Sequence, residues 1–186
     1  DRAETWGSFT AWPLIDYVAE YGTKYPEIAV TTLKALTPLF SAEFAIRTFI
    51  DQHFDLTYPQ LLLWAEDHDE HVRRLACEGI RPRLPWGKQL SLFCDDPAVI
   101  FPILEQLKDD QSLYVRKSVA NNLNDISKDN PEQVITLCRR WYTDATTDRL
   151  WIIRHALRSL IKGGHPDVFP LLGYSEKPQL SLQAIT

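Results

Sequence analysis

The sequence predicts an all-α protein built as a stack of helical hairpins. Three observations predict it. Apolar residues recur with the helical period: Val134, Cys138 and Trp141 fall at i, i+4 and i+7, and Val115, Val119, Leu123 and Ile126, then Ile153, Leu157, Leu160 and Ile161, follow similar spacings. Pro and Gly stand between such segments, at 82–87, 97, 131 and 163–166, where they interrupt helices, and no convincing pair of alternating strands is present. A motif also repeats along the chain. Asp67, Asp110 and Asp148 are each followed, five residues intervening, by Arg73, Arg116 and Arg154, and the arginines are spaced by 43 and 38 residues. Ile46-Arg47 forms a weaker fourth copy, with Ser41 in the Asp position.

In chain order the pattern predicts helices over 12–21, 26–38, 42–52 around Ile46-Arg47, 58–66, and 70–80 after the first repeat Asp. Further helices follow over 98–108 beyond Pro97, 112–127 on the Val115 period, 131–142 opened by Pro131, and 148–162 closed by Gly163. Each repeat Asp is placed to N-cap the second helix of a hairpin. The period and the Asp…Arg pattern resemble HEAT repeats, whose units bury their apolar faces only by stacking. The expected architecture is therefore a right-handed superhelical HEAT-like or ARM-type solenoid with a concave binding face. Residues 1–173 form the repeat domain. Residues 174–186 lack helical periodicity and read as an extended tail or the stub of a following segment.

With 186 residues and 45% apolar content the chain suits one domain with a continuous core. No apolar run approaches the ~20 residues of a membrane-spanning helix, and no signal peptide opens the chain. Cys77, Cys94 and Cys138 are odd in number and widely spaced, which fits free thiols in a reducing cytoplasm. The chain has no Met and begins at Asp1, as expected of a trimmed fragment. Net charge is −5, but unevenly spread: residues 1–70 carry −8 and residues 71–90 carry +4. Local sign steers an anionic partner more than the total does.

The second helices of the hairpins carry an unusual set of cations. Arg154, Arg158 and Lys162 lie at i, i+4 and i+8 and form one stripe, joined by Arg74, Lys117 and, in the following loop, Arg81 and Arg83. Such a stripe suits a phosphate backbone, because neutralising phosphates releases counterions. Arg73, Arg116 and Arg154 also have a structural reading, in which they bond the Asp ladder. Trp86 stands in a loop rich in Pro and Arg, where an exposed indole can pack on a deoxyribose or a cationic base. Trp141 is expected in the core, Trp151 is ambiguous, and Trp6, Trp12 and Trp64 are most simply core.

Three long runs then carry a family resemblance: HVRRLACEGIRPRLPWGKQL (71–90), LKDDQSLYVRKSVANNLNDISKDNP (107–131) and WIIRHALRSLIKGG (151–164). With AEFAIR (42–47) and Trp6…PLIDYVAEYG (13–22), they resemble the bacterial DNA alkylation repair glycosylases, AlkC being the nearer branch and AlkD the more distant relative. The resemblance covers residues 6–173. It implies a HEAT-like fold gripping duplex DNA and hydrolysing the N-glycosidic bond of cationic bases such as 3-methyladenine, without a deep base-flipping pocket. Members carry further N-terminal helices, and some a C-terminal immunoglobulin-like domain.

The resemblance places the catalytic carboxylate at Asp125, with Glu43 as second choice, and turns Glu78 and Arg74 toward the lesion. An Asp inside the apolar period of 112–127 is not what helix propensity selects. Competing structural readings pair Asp125 with Lys128, place Glu43 at a helix dipole and pair Glu78 with Arg74. A methylated purine is already a cation, so the leaving base needs no general acid and the expected enzyme needs no cofactor. The expected partner is alkylated double-stranded DNA, bound by a monomer in the cytoplasm. His68 and His71 among acids occupy a capping turn, so no metal site is expected there, and nucleotide-binding and serine-hydrolase motifs are missing. The alternative is a non-catalytic HEAT scaffold, in which Asp125 and Trp86 need not face the basic groove.

Overall fold

The computed structural model describes residues 9–174; Trp6 and most of the 174–186 tail lie outside the described residues. The described chain is helical, without strands. The helices are α1 Trp12–Tyr21, α2 Pro26–Leu36, α3 Ile46–Gln52, α4 Phe54–Trp64, α5 Glu70–Glu78, α6 Ser91–Asp95, α7 Phe101–Leu107, α8 Leu113–Ile126, α9 Pro131–Tyr142, α10 Thr147–Ala156, α11 Arg158–Lys162 and α12 Val168–Leu171. Helices α4/α5, α7/α8 and α9/α10 are the repeating hairpins. Their second members lie side by side, α5 against α8 and α8 against α10. One continuous apolar core runs between the layers, from Ile15 to Leu172. None of the described helices is long and apolar enough to cross a membrane.

Helix α9 shows how local sequence sets an element. Pro131 opens it where no amide partner is needed, Glu132 faces the positive dipole end, and Arg139 and Arg140 face the negative end. Val134, Cys138 and Trp141 are buried as the period requires. The N-caps differ from expectation. Asp69, Ser112 and Thr146 cap α5, α8 and α10, accepting from the amides of His71, Tyr114 and Arg149. The repeat acids Asp67 and Asp110 sit two residues earlier and accept from the amides of Asp69 and Ser112, at 2.9 and 2.8 Å. They fix the turn that leads into the cap. Asp148 lies inside the first turn of α10.

Those acids also receive the repeat arginines. Arg73 donates both Nε and Nη2 to Asp110 of the next repeat, and to the carbonyls of Asp67 and His68 in its own. Arg116 repeats this with Asp148 at 3.2 Å and with the carbonyls of Asp110 and Gln111. The structural reading therefore holds for Arg73 and Arg116. Arg154 ends the series, exposed and without a carboxylate partner among the described residues.

Other boundaries moved for identifiable reasons. Helix α3 starts at Ile46, because residues 43–45 form a turn that turns Glu43 toward Arg74. Helix α4 starts four residues before Tyr58, supported by amide bonds from Leu56 and Thr57 to the His53 carbonyl and by Phe54 stacked on Tyr58. The expected helix 148–162 breaks at Leu157, where Arg158 Nη1 takes the His155 carbonyl at 2.6 Å. The short helices α6 and α12 hold too few residues to show a period. Gly79, at the C-cap of α5, permits a close approach to α3, since a Cβ there would lie 2.6 Å from Ile46 Cγ2. Trp64 and Trp141 are core as expected, but Trp12 is 43% exposed and stacks on Phe40.

Candidate functional site

Five of the expected site residues, Glu43, Arg74, Glu78, Arg81 and Asp125, lie on one line of alternating charge. It starts at Glu43, in the turn before α3, which accepts from Arg74 Nη1 at 2.6 Å. Arg74 also donates to Ser41 and lies over the Tyr114 ring, 4.6 Å from its centroid. One helical turn on, Glu78 stands 3.6 Å from Arg74 and accepts from Arg81 Nη1 at 2.6 Å and from the Ser118 hydroxyl at 2.5 Å. Arg81 reaches Asp125 through Nε at 2.8 Å and Nη2 at 2.7 Å. Lys128 closes the line, its ammonium 2.9 Å from the other Asp125 oxygen.

The network sits largely out of solvent, with Asp125 only 2% exposed. Burial by itself would lower the Arg74 guanidinium; the carboxylates of Glu78 and Glu43 outweigh it and hold the group above its ordinary value. Burial acts on Arg81 in the same way, and Glu78 and Asp125 again prevail. Asp125 lies in the last turn of α8, where an acid meets the negative end of the helix dipole. Its position is therefore not one that helix stability selects, and its partners come from a loop and from beyond the helix end.

Trp86 is 99% exposed and has φ +61°. The Gly87 amide bonds the Leu84 carbonyl at 3.0 Å, closing the turn Leu84-Pro85-Trp86-Gly87 around it. Pro at the first central position and a positive φ at the second mark a type II geometry, in which glycine is the usual occupant. A large apolar side chain held in a strained backbone and fully in solvent contributes nothing to packing. That combination points to use by a ligand.

The cations divide by partner. Lys117, Arg154 and Lys162 are exposed and have no carboxylate at ion-pair distance among the described residues. Arg158 is half-buried, donating to Asn121 at 3.0 Å. Burial, and then Arg81, lower its guanidinium, while Asp125 opposes them. Arg81 corrects the expectation of a phosphate contact: it is 6% exposed and its donors are taken by Glu78 and Asp125. Arg83 is engaged by both oxygens of Asp129 at 2.7 Å, tying the loop to the end of α8. Trp151 is 37% exposed and stacks on His155, with centroids 4.9 Å apart and planes 8° from parallel.

Tyr114 and Ser118 belong to the network but carried no signal in the sequence, and Ser41 stood out only in the repeat's Asp position, since their partners on α5 lie 33 to 40 residues away. Ligand-capable atoms of Glu132, His165 and Asp167 lie within 4.8 Å of one another at the start of α9 and before α12, close enough to hold a metal ion together. They are separate from the charged line.

A stack of helical hairpins that buries one line of alternating charge, and carries on α8, α10 and α11 cations without a carboxylate partner among the described residues, defines a helical-repeat protein with a carboxylate held by a distant loop arginine and a neighbouring lysine. Residues 40–160 match the family model described as DNA alkylation repair enzyme, and the chain belongs to that family. It is similar to the Pseudomonas fluorescens alkylpurine DNA glycosylase AlkC, solved bound to DNA containing an abasic site analog. That likeness has 48% identity and a TM-score of 0.85, covering 89% of this chain and 46% of that one. It is also 46% identical over 172 residues to the Bacillus subtilis (strain 168) uncharacterized protein YhaZ, covering 92% of this chain and 48% of YhaZ. The chain thus spans about half the length of the relatives it matches.

Proposed function

We propose that this chain is the helical-repeat core of a DNA glycosylase that hydrolyses the N-glycosidic bond of cationic alkylated bases, such as 3-methyladenine, in duplex DNA. The observation that carries the reading is Asp125, a carboxylate buried at an unfavourable helix end and oriented by Arg81 and Lys128. The face formed by α5, α8 and α10 takes the duplex. Lys117, Arg154, Arg158 and Lys162 meet phosphates, and Trp86 packs on the lesion nucleotide. Glu43, Glu78 and Arg74 extend the charged surface that meets the lesion.

In the reaction the C1′–N bond breaks and its electron pair leaves with the base, neutralising the base's positive charge. Positive charge develops on the deoxyribose, where a carboxylate stabilises it. Water then adds to C1′, and its proton passes to Asp125 or to solvent. Lys128, with a side chain 45% exposed, is free to swing outward and release one Asp125 oxygen for this work. The expected compartment is the cytoplasm, consistent with three free, buried cysteines.

Asp125→Asn tests the reading. Base release from methylated duplex should fall to background in single-turnover assays while DNA affinity stays near that of the parent chain. Full release by the variant would remove Asp125 from catalysis. Retained DNA binding with no release by the parent chain would favour a scaffold.

A further inference from the structure

One buried guanidinium lies beneath both Asp125's partner and the Trp86 loop. Arg47, on α3, is 2% exposed. Its Nη1 donates to the carbonyls of Gly79 at 2.8 Å and Arg81 at 2.7 Å. Its Nε donates to the carbonyl of Lys88 at 2.9 Å, and Nη2 shares that acceptor. No carboxylate is in direct contact with it among the described residues. Burial first, and the Arg81 charge second, lower this group to about 10, while Asp125 and Glu78 pull the other way from a distance. A cation is tolerated in a core only when counter-charges or dipoles replace its water, and here three carbonyls do so.

Those carbonyls belong to the two roots of a single loop. Gly79 and Arg81 stand where the chain leaves α5, and the side chain of Arg81 holds Asp125. Lys88 stands two residues past Trp86. The loop is closed above Arg47 by the Leu90 amide on the Pro82 carbonyl at 3.1 Å. Gly87 rests against the clamp: a Cβ there would lie 3.2 Å from Leu84 Cδ2 and 3.4 Å from Arg47 Nε.

We propose that Arg47 is a positioning residue which, by clamping both roots of the 79–88 loop, fixes the placement of the Trp86 indole relative to the Asp125 carboxylate. The inference rests on the glycosylase reading of those two residues. The planar fork of arginine reaches acceptors in two directions, whereas the single ammonium of lysine does not. Replacing an arginine that only stabilised the fold would cost stability, and its effect on catalysis would multiply with that of a Trp86 substitution.

The test uses Arg47→Lys, Trp86→Ala, the double variant and Gly87→Ala. In the free protein, hydrogen exchange at the Gly87 and Leu90 amides should quicken about tenfold or more in Arg47→Lys, with the core amides of α8 and α9 unchanged. In single-turnover base release, Arg47→Lys should lose as much rate as Trp86→Ala, and the double variant no more than Trp86→Ala alone. Gly87→Ala presses on the same contact while keeping the guanidinium. It should show the same local exchange pattern more weakly, and it decides the matter if Arg47→Lys does not fold. Unchanged loop exchange in the folded variants, or rate losses that multiply in the double variant, would overturn the proposal. If the parent chain releases no base, the glycosylase reading fails on its own, and the exchange data alone then support or overturn the clamp.

Discussion

Arg81→Met removes the central cation of the charged line and tests whether the line is held together from within. Arg81 is the shared partner of Glu78 and Asp125, both nearly fully buried. Methionine fills similar volume but leaves two buried carboxylates without their main partner. Breaking a buried pair from one side costs about 3–5 kcal/mol, because the remaining charge is uncompensated. At roughly 2–4 °C per kcal/mol for a chain of this size, the melting temperature should fall by about 6–20 °C. Arg83→Met is the internal control. Its bond to Asp129 has equally short distances, yet the guanidinium reaches solvent, so the unfolding midpoint should stay close to that of the parent. A triple variant with Arg81→Met, Glu78→Gln and Asp125→Asn should recover part of the loss, since no uncompensated buried carboxylate remains and the Lys128 ammonium it frees is 45% exposed. Urea unfolding monitored by circular dichroism reads all three. Equal midpoints for Arg81→Met and Arg83→Met would refute the assignment of the cost to burial, as would a triple variant no better than the single one.

Three further outcomes are expected. Trp86→Gly should fold as well as the parent or better, by about 0–1.5 kcal/mol, because relief of a left-handed L-residue outweighs the added freedom of the unfolded chain; a clear loss of stability in thermal unfolding would show that the indole packs. Lys162→Ala should lower the salt slope of DNA binding by about one unit, and an unchanged slope would place Lys162 off the backbone path. Burial, followed by Arg158 and Lys117, holds the His155 imidazole below its ordinary value, so the unfolded chain protonates first as pH falls. That part of stability is full above about pH 6.5 and declines below it until the folded group also protonates. His155→Gln should narrow the difference between urea midpoints at about pH 7.5 and about pH 5.5, and an undiminished difference would assign the acid sensitivity elsewhere.

The sequence by itself determined the helices, because helix formation is local. Hydrophobic period, Pro131 at a helix start and breakers between segments act within a few residues, and α8 and α9 fall where the pattern puts them. It also exposed the repeat, since each hairpin solves the same packing problem with the same Asp and Arg. Long matching runs brought Asp125, Glu43, Glu78 and Arg74 forward, and its Pro- and Arg-rich loop setting brought Trp86.

Only the tertiary structure decided which charge meets which. Arg74 with Glu43 and Arg81 with Asp125 are 31 and 44 residues apart, and no local rule relates them. Arg81 therefore looked like one more cation in a basic stretch, when burial commits it to two acids. Arg47 looked like a degenerate repeat arginine because its Asp is missing. The fold supplies three carbonyls in place of that Asp, and so ties a ladder residue to both ends of the 79–88 loop. A cation's role depends on its partners and its access to water, and both are fixed only when distant segments come together.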